Sequence, residues 1–144
     1  MPKQRMLAKE IHRLDIAIGR CLAQAYQAQQ MEDVTCTNAR IIRFVNEHPE
    51  RDVYQRDLEK EFGITRSTAS RVLMLMEQKG LIERHGVKED ARLKKLVLTE
   101  KSKSISAAMR ENGRNMDTRL LQGFSEEEQK QLYGFLDRML ANVK

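Results

Sequence analysis

The run from Leu58 to Gly80 constrains this chain more than any other, because it specifies both ends of one helix and the turn that precedes it. A short helix over Asp52 to Phe62, with Leu58 inward, stops at Gly63, where the missing Cβ suits a tight turn. Ile64 then points inward, and Thr65 has the hydroxyl needed to cap a second helix. That second helix, Arg66 to Gln78, buries Val72, Leu73 and Met76 and ends in Lys79-Gly80, a basic last turn followed by a C′ glycine. Helix, glycine turn and capped helix form the outline of a helix-turn-helix.

The flanks extend that outline into a lobe over about residues 37–99. Upstream, Thr37 is expected to cap a helix whose buried face is Ile41, Ile42 and Val45, ended by His48-Pro49. Downstream, Leu81-Ile82-Glu83-Arg84 and Leu96-Val97-Leu98 read as short strands. A charged connection from His85 to Lys95, including Gly86, joins them into a β-hairpin with a basic tip.

Outside the lobe the pattern is helical. Leu7, Ile11, Leu14, Ile18, Cys21 and Ala25 alternate spacings of four and three, the seam of a helix packed against another helix. A helix from about Lys3 to Gln29 would be about 40 Å long, more than one small domain needs, so its stripe is expected to meet a partner subunit. Thr99-Glu100 opens a further helix carrying Ile105, Met109, Met116 and Leu120, weakened by Gly113. Ser125 with Glu128 forms a capping box before a last helix with Leu132, Phe135, Leu136, Met139 and Val143 on one face. The expected fold is mainly α with a small β-hairpin wing. It is one domain over residues 1–144, a winged helix-turn-helix lobe plus a helical dimerisation region at about 3–30 and 100–144. The dimer interface is expected at Leu7, Ile11, Leu14, Ile18, Leu132, Leu136 and Met139.

The second helix of such a motif enters the major groove, where the four base pairs present distinct donor and acceptor patterns. Its residues here are Arg66, Ser67, Thr68, Ser70 and Arg71. The arginines can fork onto guanine or phosphate, and the small hydroxyl residues let the backbone approach. No acidic residue interrupts Thr65 to Met76. An ordinary solvated helix face would also be polar, but charge placement argues for nucleic acid. From Thr65 to Lys101 nine Lys or Arg stand against five Asp or Glu, so this segment holds +4 of the chain's +5. In the hairpin, Asp90 stands two residues before Arg92 and can orient it toward a narrow minor groove, with Lys94 and Lys95 available to phosphates. An isolated turn of this kind would read as solvated charge; beside a helix-turn-helix it reads as a wing.

The chain resembles the MarR family of bacterial and archaeal transcriptional regulators. The likeness lies in Asp57-Leu58-Glu59-Lys60-Glu61-Phe62-Gly63-Ile64-Thr65, in Ser70-Arg71-Val72-Leu73 through Glu77-Gln78-Lys79-Gly80-Leu81-Ile82, and in Asp90-Ala91-Arg92 leading to Leu98-Thr99-Glu100-Lys101. The resemblance implies a homodimer whose first and last two helices form the interface, each lobe reading half of a pseudo-palindromic operator. It also implies recognition contacts at Ser67, Thr68 and Arg71 and a wing arginine at Arg92 partnered by Asp90. Two departures stand out: Ala91 replaces an arginine common in the family, and Ser102 a glycine.

Other classes fit less well. The three histidines, His12, His48 and His85, share no spacing with the cysteines or carboxylates that would suggest a metal or catalytic set, and there is no Gly-rich phosphate loop, so the chain is expected not to be an enzyme and to need no cofactor. Uninterrupted apolar stretches are only a few residues long, and no apolar segment follows the basic N-terminus, so a cytoplasmic protein without membrane contact is expected. The expected partners are double-stranded DNA, a second copy of the chain and a small-molecule effector, for which no binding residues stand out. Met109 and Met116 lie where the family tends to bind ligands, although methionines are more often plain core. Two alternatives remain open: an oxidant-switched repressor sensing through Cys21, against which its apolar seam argues, and a winged-helix module that holds protein. Cys36 has no evident basic activator beyond Arg40.

Overall fold

A computed structural model describes residues 4–31 and 33–144 and contains six helices and one hairpin in the order α1 (Leu7–Ala28), α2 (Cys36–Asn46), α3 (Gln55–Phe62), α4 (Arg66–Gln78), β1 (Ile82–Val87), β2 (Asp90–Leu98), α5 (Glu100–Leu120) and α6 (Glu126–Val143). The expected start of the first helix at Lys3 lies outside the described residues. The mainly α architecture with a β-hairpin wing is as the sequence predicts.

The core sits in the lobe. Ile41, Ile42 and Phe44 of α2, Leu58 of α3, Leu73 and Met76 of α4, and Leu81, Ile82, Leu96 and Leu98 around the hairpin are buried together, with Tyr26 of α1 beneath them. Val72, expected inside, is half-buried at the margin, and Ala69 takes the close-packed place. The edge of the Phe62 ring meets Phe44 at a centroid distance of 6.1 Å, closing α3 on α2. Beside β2, Leu96 N–H donates to Val53 O at 2.8 Å and Tyr54 bridges Lys95, so the segment before α3 borders the hairpin.

Several boundaries differ from expectation for local reasons. Thr35, not Thr37, caps α2: its hydroxyl accepts from Asn38 N–H at 3.0 Å, and its own N–H donates to the Asn38 side chain at 3.2 Å. Position 38 carries an amide that can close this box, whereas Thr37 would need its partner at Arg40. α3 starts at Gln55 because the Asp57 carboxylate accepts from Tyr54 N–H at 2.8 Å. The strands are longer than expected, and the turn between them is Lys88-Glu89, one residue of each sign, so the tip itself is not basic. The positive residues lie along β2.

The seam on α1 divides. Ile18, Cys21 and Ala25 are half-buried, and with Ala17 the Ile18 and Cys21 positions line a crevice against Met116, Arg119 and Leu120 of α5. Farther out, Leu7, Ile11 and Leu14 are 60%, 47% and 52% exposed. α5 remains one helix through Gly113, and its inward face is more polar than expected. Ser102, Ser106 and Asn112 are buried beside Met116, while Ile105 and Met109 pack at the edge of the core and Leu120 is exposed. Gln29 and Asn112 exchange two hydrogen bonds, of 3.1 and 2.8 Å, between the end of α1 and α5. α6 has the expected capping box and buries none of its side chains.

Candidate nucleic-acid interface

The turn that presents α4 is built as its residues predict. Gly63 ends α3 with φ +60°, a left-handed conformation that side-chain-bearing residues adopt at a cost. Thr65 then caps α4, its hydroxyl accepting from Thr68 N–H at 3.2 Å while lying 2.9 Å from the Thr68 hydroxyl and 3.1 Å from that of Ser67. Three hydroxyl groups thus gather at the helix N-terminus, where four backbone N–H groups begin without helical partners. That end is polar, positive by its dipole and free of acid in its first turn.

Arg66, Ser67, Thr68 and Arg71 are exposed on α4, as are Asp90, Arg92 and Lys94 on β2. Among the described residues, the charged groups around them are largely paired: Glu77 with Arg84, Lys95 with Asp52, Lys101 with Asp33. Arg66, Arg71, Arg92 and Lys94 take part in none of the ion pairs found there. Their charge is therefore directed to solvent, as a polyanion-binding surface requires.

Two expected residues have other surroundings. Ser70 is half-buried, and its hydroxyl accepts from Arg84 at 3.3 Å. Asp90 does not hold the Arg92 guanidinium; its carboxylate accepts from Arg92 backbone N–H at 2.9 Å. The hairpin register shifts beside this bond, from Gly86 opposite Lys94 to Val87 opposite Asp90. Asp90 thus shapes the backbone that carries Arg92 rather than aiming its side chain.

Sequence reasoning missed Arg84. From β1 it donates to Glu77 of α4 and, through Nη1, to Ser70 at 3.3 Å and Gln55 of α3 at 3.4 Å. One planar guanidinium with five donors therefore ties the wing to both helices of the motif. Its neighbours in sequence, Glu83 and His85, gave no sign of this, since the partners are 7 to 29 residues away. A second missed group is Lys101, which donates to Lys79 O at 2.9 Å and Asp33 at 2.7 Å, while the Thr99 hydroxyl donates to Gly80 O at 2.6 Å. The C-terminal end of α4 is thereby fastened to the start of α5. The bond from Lys101 holds the Asp33 carboxyl below its ordinary range.

Comparison with known proteins places this lobe. The MarR family model matches residues 32–93. The uncharacterized HTH-type transcriptional regulator YybA of Bacillus subtilis is 25% identical over 115 residues, 80% of this chain and 77% of that protein. Among solved structures, an S. aureus MepR–DNA complex superposes with a TM-score of 0.85 at 23% identity, covering 98% of this chain and all of that one, which shows the fold. The transcription regulator MarR from Oenococcus oeni is 28% identical over 94% of this chain and 96% of its own, with a TM-score of 0.66. These relatives are regulators and not enzymes, and among the described residues no helix is long and apolar enough to cross a membrane. The MarR family model thus matches the lobe, and the whole winged fold is similar to that of these proteins.

Proposed function

We propose that this regulator binds double-stranded DNA as a homodimer and represses transcription by occupying a pseudo-palindromic operator. The observation that carries the reading is the acid-free, exposed face of α4, Ser67, Thr68 and Arg71, with the exposed Arg92 and Lys94 on the wing tied to it through Arg84. Ser67, Thr68 and Arg71 read base edges; Arg66, Arg92 and Lys94 hold backbone or minor groove; Ser70 and Asp90 support these residues from beneath. A relative of the same fold has been solved as a complex with DNA, which supports the assignment.

In the dimer the two α4 helices stand about 34 Å apart, one turn of B-DNA, so each lobe meets one half-site. The unpartnered apolar residues of α1 and α6 supply the contact between copies. A small-molecule effector controls the complex by preferring a dimer whose lobes are spaced wrongly for the groove, which lowers the operator-competent population by its affinity difference.

The test is fluorescence anisotropy on duplexes tiled across the DNA flanking the gene. Sequence-preferring binding that weakens steeply as salt rises is expected, because phosphate contacts release counterions. Absence of any preferred duplex at moderate salt defeats the proposal.

A further inference from the structure

Large exposed apolar side chains fall in two places among the described residues: on α1 and the Met6 before it, the end of α5, the loop after it and α6, and at Met74 and Leu75 of α4. Within the described part of the lobe, Met74 and Leu75 are the only large apolar side chains so exposed, at 44% and 43%. Their position is specific. α4 buries Ala69, Leu73 and Met76. The opposite face follows the helical period through Ser67, Arg71, Met74 and Gln78, with Leu75 beside it in the row of Thr68 and Arg71. The polar end of α4 that faces the groove therefore continues directly into an apolar step.

We infer that Met74 and Leu75 form an apolar rung on the recognition helix that reads thymine methyl groups in the major groove; this rests on the DNA-binding reading proposed above. The C5-methyl of thymine is the one apolar feature a base pair offers there, and apolar side chains discriminate it. The surrounding charge selects the occupant. The rung lies beside Arg71, and Glu77, the first acidic residue after Thr65, is held by Arg84, so a polyanion fits this face better than an apolar protein surface. Met74 lies seven positions beyond Ser67, about 10 Å along the helix axis at 1.5 Å per residue, so the methyl groups lie up to about three base-pair steps from the bases that Ser67 meets. Arg71 between them reads the intervening pairs, and the operator half-site thus contains an A·T-containing element offset from a polar-read one.

Selection of duplexes from a random pool first supplies the preferred site, and anisotropy then compares it with versions carrying deoxyuridine for thymine, which removes the methyl and leaves every hydrogen-bonding group. The wild type should lose about fourfold in affinity for each methyl that the rung buries, at one or two positions per half-site. The Met74→Ala/Leu75→Ala variant, and Met74→Gln/Leu75→Gln as a second, should bind thymine and uracil sites equally while melting near the wild-type temperature. Equal wild-type affinity for both sites at every position, or full discrimination in the folded double variants, overturns the rung while leaving DNA binding intact. A wild type that selects no duplex overturns the DNA-binding reading itself, a different outcome from loss of methyl discrimination.

Discussion

At the scale of single residues, the features legible in the sequence were those that depend on neighbours in the chain. Thr65 as a cap, Gly63 as a left-handed turn and the Ser125–Glu128 box each involve partners within four residues. The bond between Ser70 and Arg84 was not legible because the two residues come from different elements, and a polar residue's sequence neighbours do not say which of its faces is covered. Arg71 and Arg92, which take part in no ion pair among the described residues, give the sharpest test of roles. Arg71→Ala should weaken operator binding by about 1–3 kcal/mol and relax base preference, whereas Arg92→Ala should weaken all duplexes more evenly. Anisotropy on matched and mismatched sites separates the two, and equal small losses from both would remove the assignment. Asp33 gives a pH test. Its folded carboxyl titrates below the ordinary range, so its contribution is present above the unfolded carboxylate value and is lost as pH falls through the lower folded value. The pair with Lys101 is nearly half exposed on both sides, so its contribution is small, within about 1 kcal/mol. Melting midpoints of wild type and Asp33→Asn should differ slightly at neutral pH and converge in acid; a gap that persists below the carboxylate range contradicts the pair.

At the scale of elements, helices with one apolar face were readable along their length, whereas the hairpin was readable only at its apolar base. β1 and β2 run well beyond the apolar residues that announced them, because the outer part of the wing is mostly charged and offers only Val87 and Leu93, both half-buried, as apolar signal. The polar inner face of α5 was hidden for the opposite reason. Ser102 and Ser106 bond to carbonyls of their own helix or its cap, and Asn112 to Gln29, so polar residues fill positions where apolar ones were expected. Arg84 joins the elements, and its removal should act on the wing and α4 together. Arg84→Met leaves the Glu77 carboxylate without its cation in a partly covered site and should lower stability by about 1–3 kcal/mol, with a larger fractional loss of DNA binding than of melting temperature. Arg84→Lys should restore part of the stability but little of the affinity, since one ammonium cannot span Glu77, Ser70 and Gln55 as the fork does. Full recovery of binding by lysine would show that the charge alone matters and not the three-way tie.

At the scale of the whole molecule, a single chain leaves a broad apolar surface uncovered. α6 buries no side chain, yet presents Tyr133, Phe135, Leu136, Leu140 and Val143, and the outer half of α1 presents Leu7, Ile11 and Leu14. Apolar exposure on this scale is rare in a stable monomer. The heptad spacing predicts a helix against α1, but it does not say that α5 of the same chain takes the inner half of the seam, because a seam does not name what covers it. Of the expected interface residues, Leu7, Ile11, Leu14 and Leu136 are exposed and available to a second copy, while Ile18, Leu132 and Met139 are half-buried at the margin. Ile11→Glu and Leu136→Glu should therefore leave the core of the lobe unchanged, since both side chains already face solvent in one chain, and should place charge between the copies of a dimer. Light scattering on the purified protein should read twice 16.8 kDa for the wild type and move toward 16.8 kDa for the variants. Two half-sites bound by one rigid dimer share a single loss of rotational and translational freedom, so the dissociated variants should lose far more affinity for a full operator than for a half-site. A wild type that scatters as a single chain would remove the dimer itself, and variants that stay dimeric at micromolar concentration would move the interface away from α1 and α6.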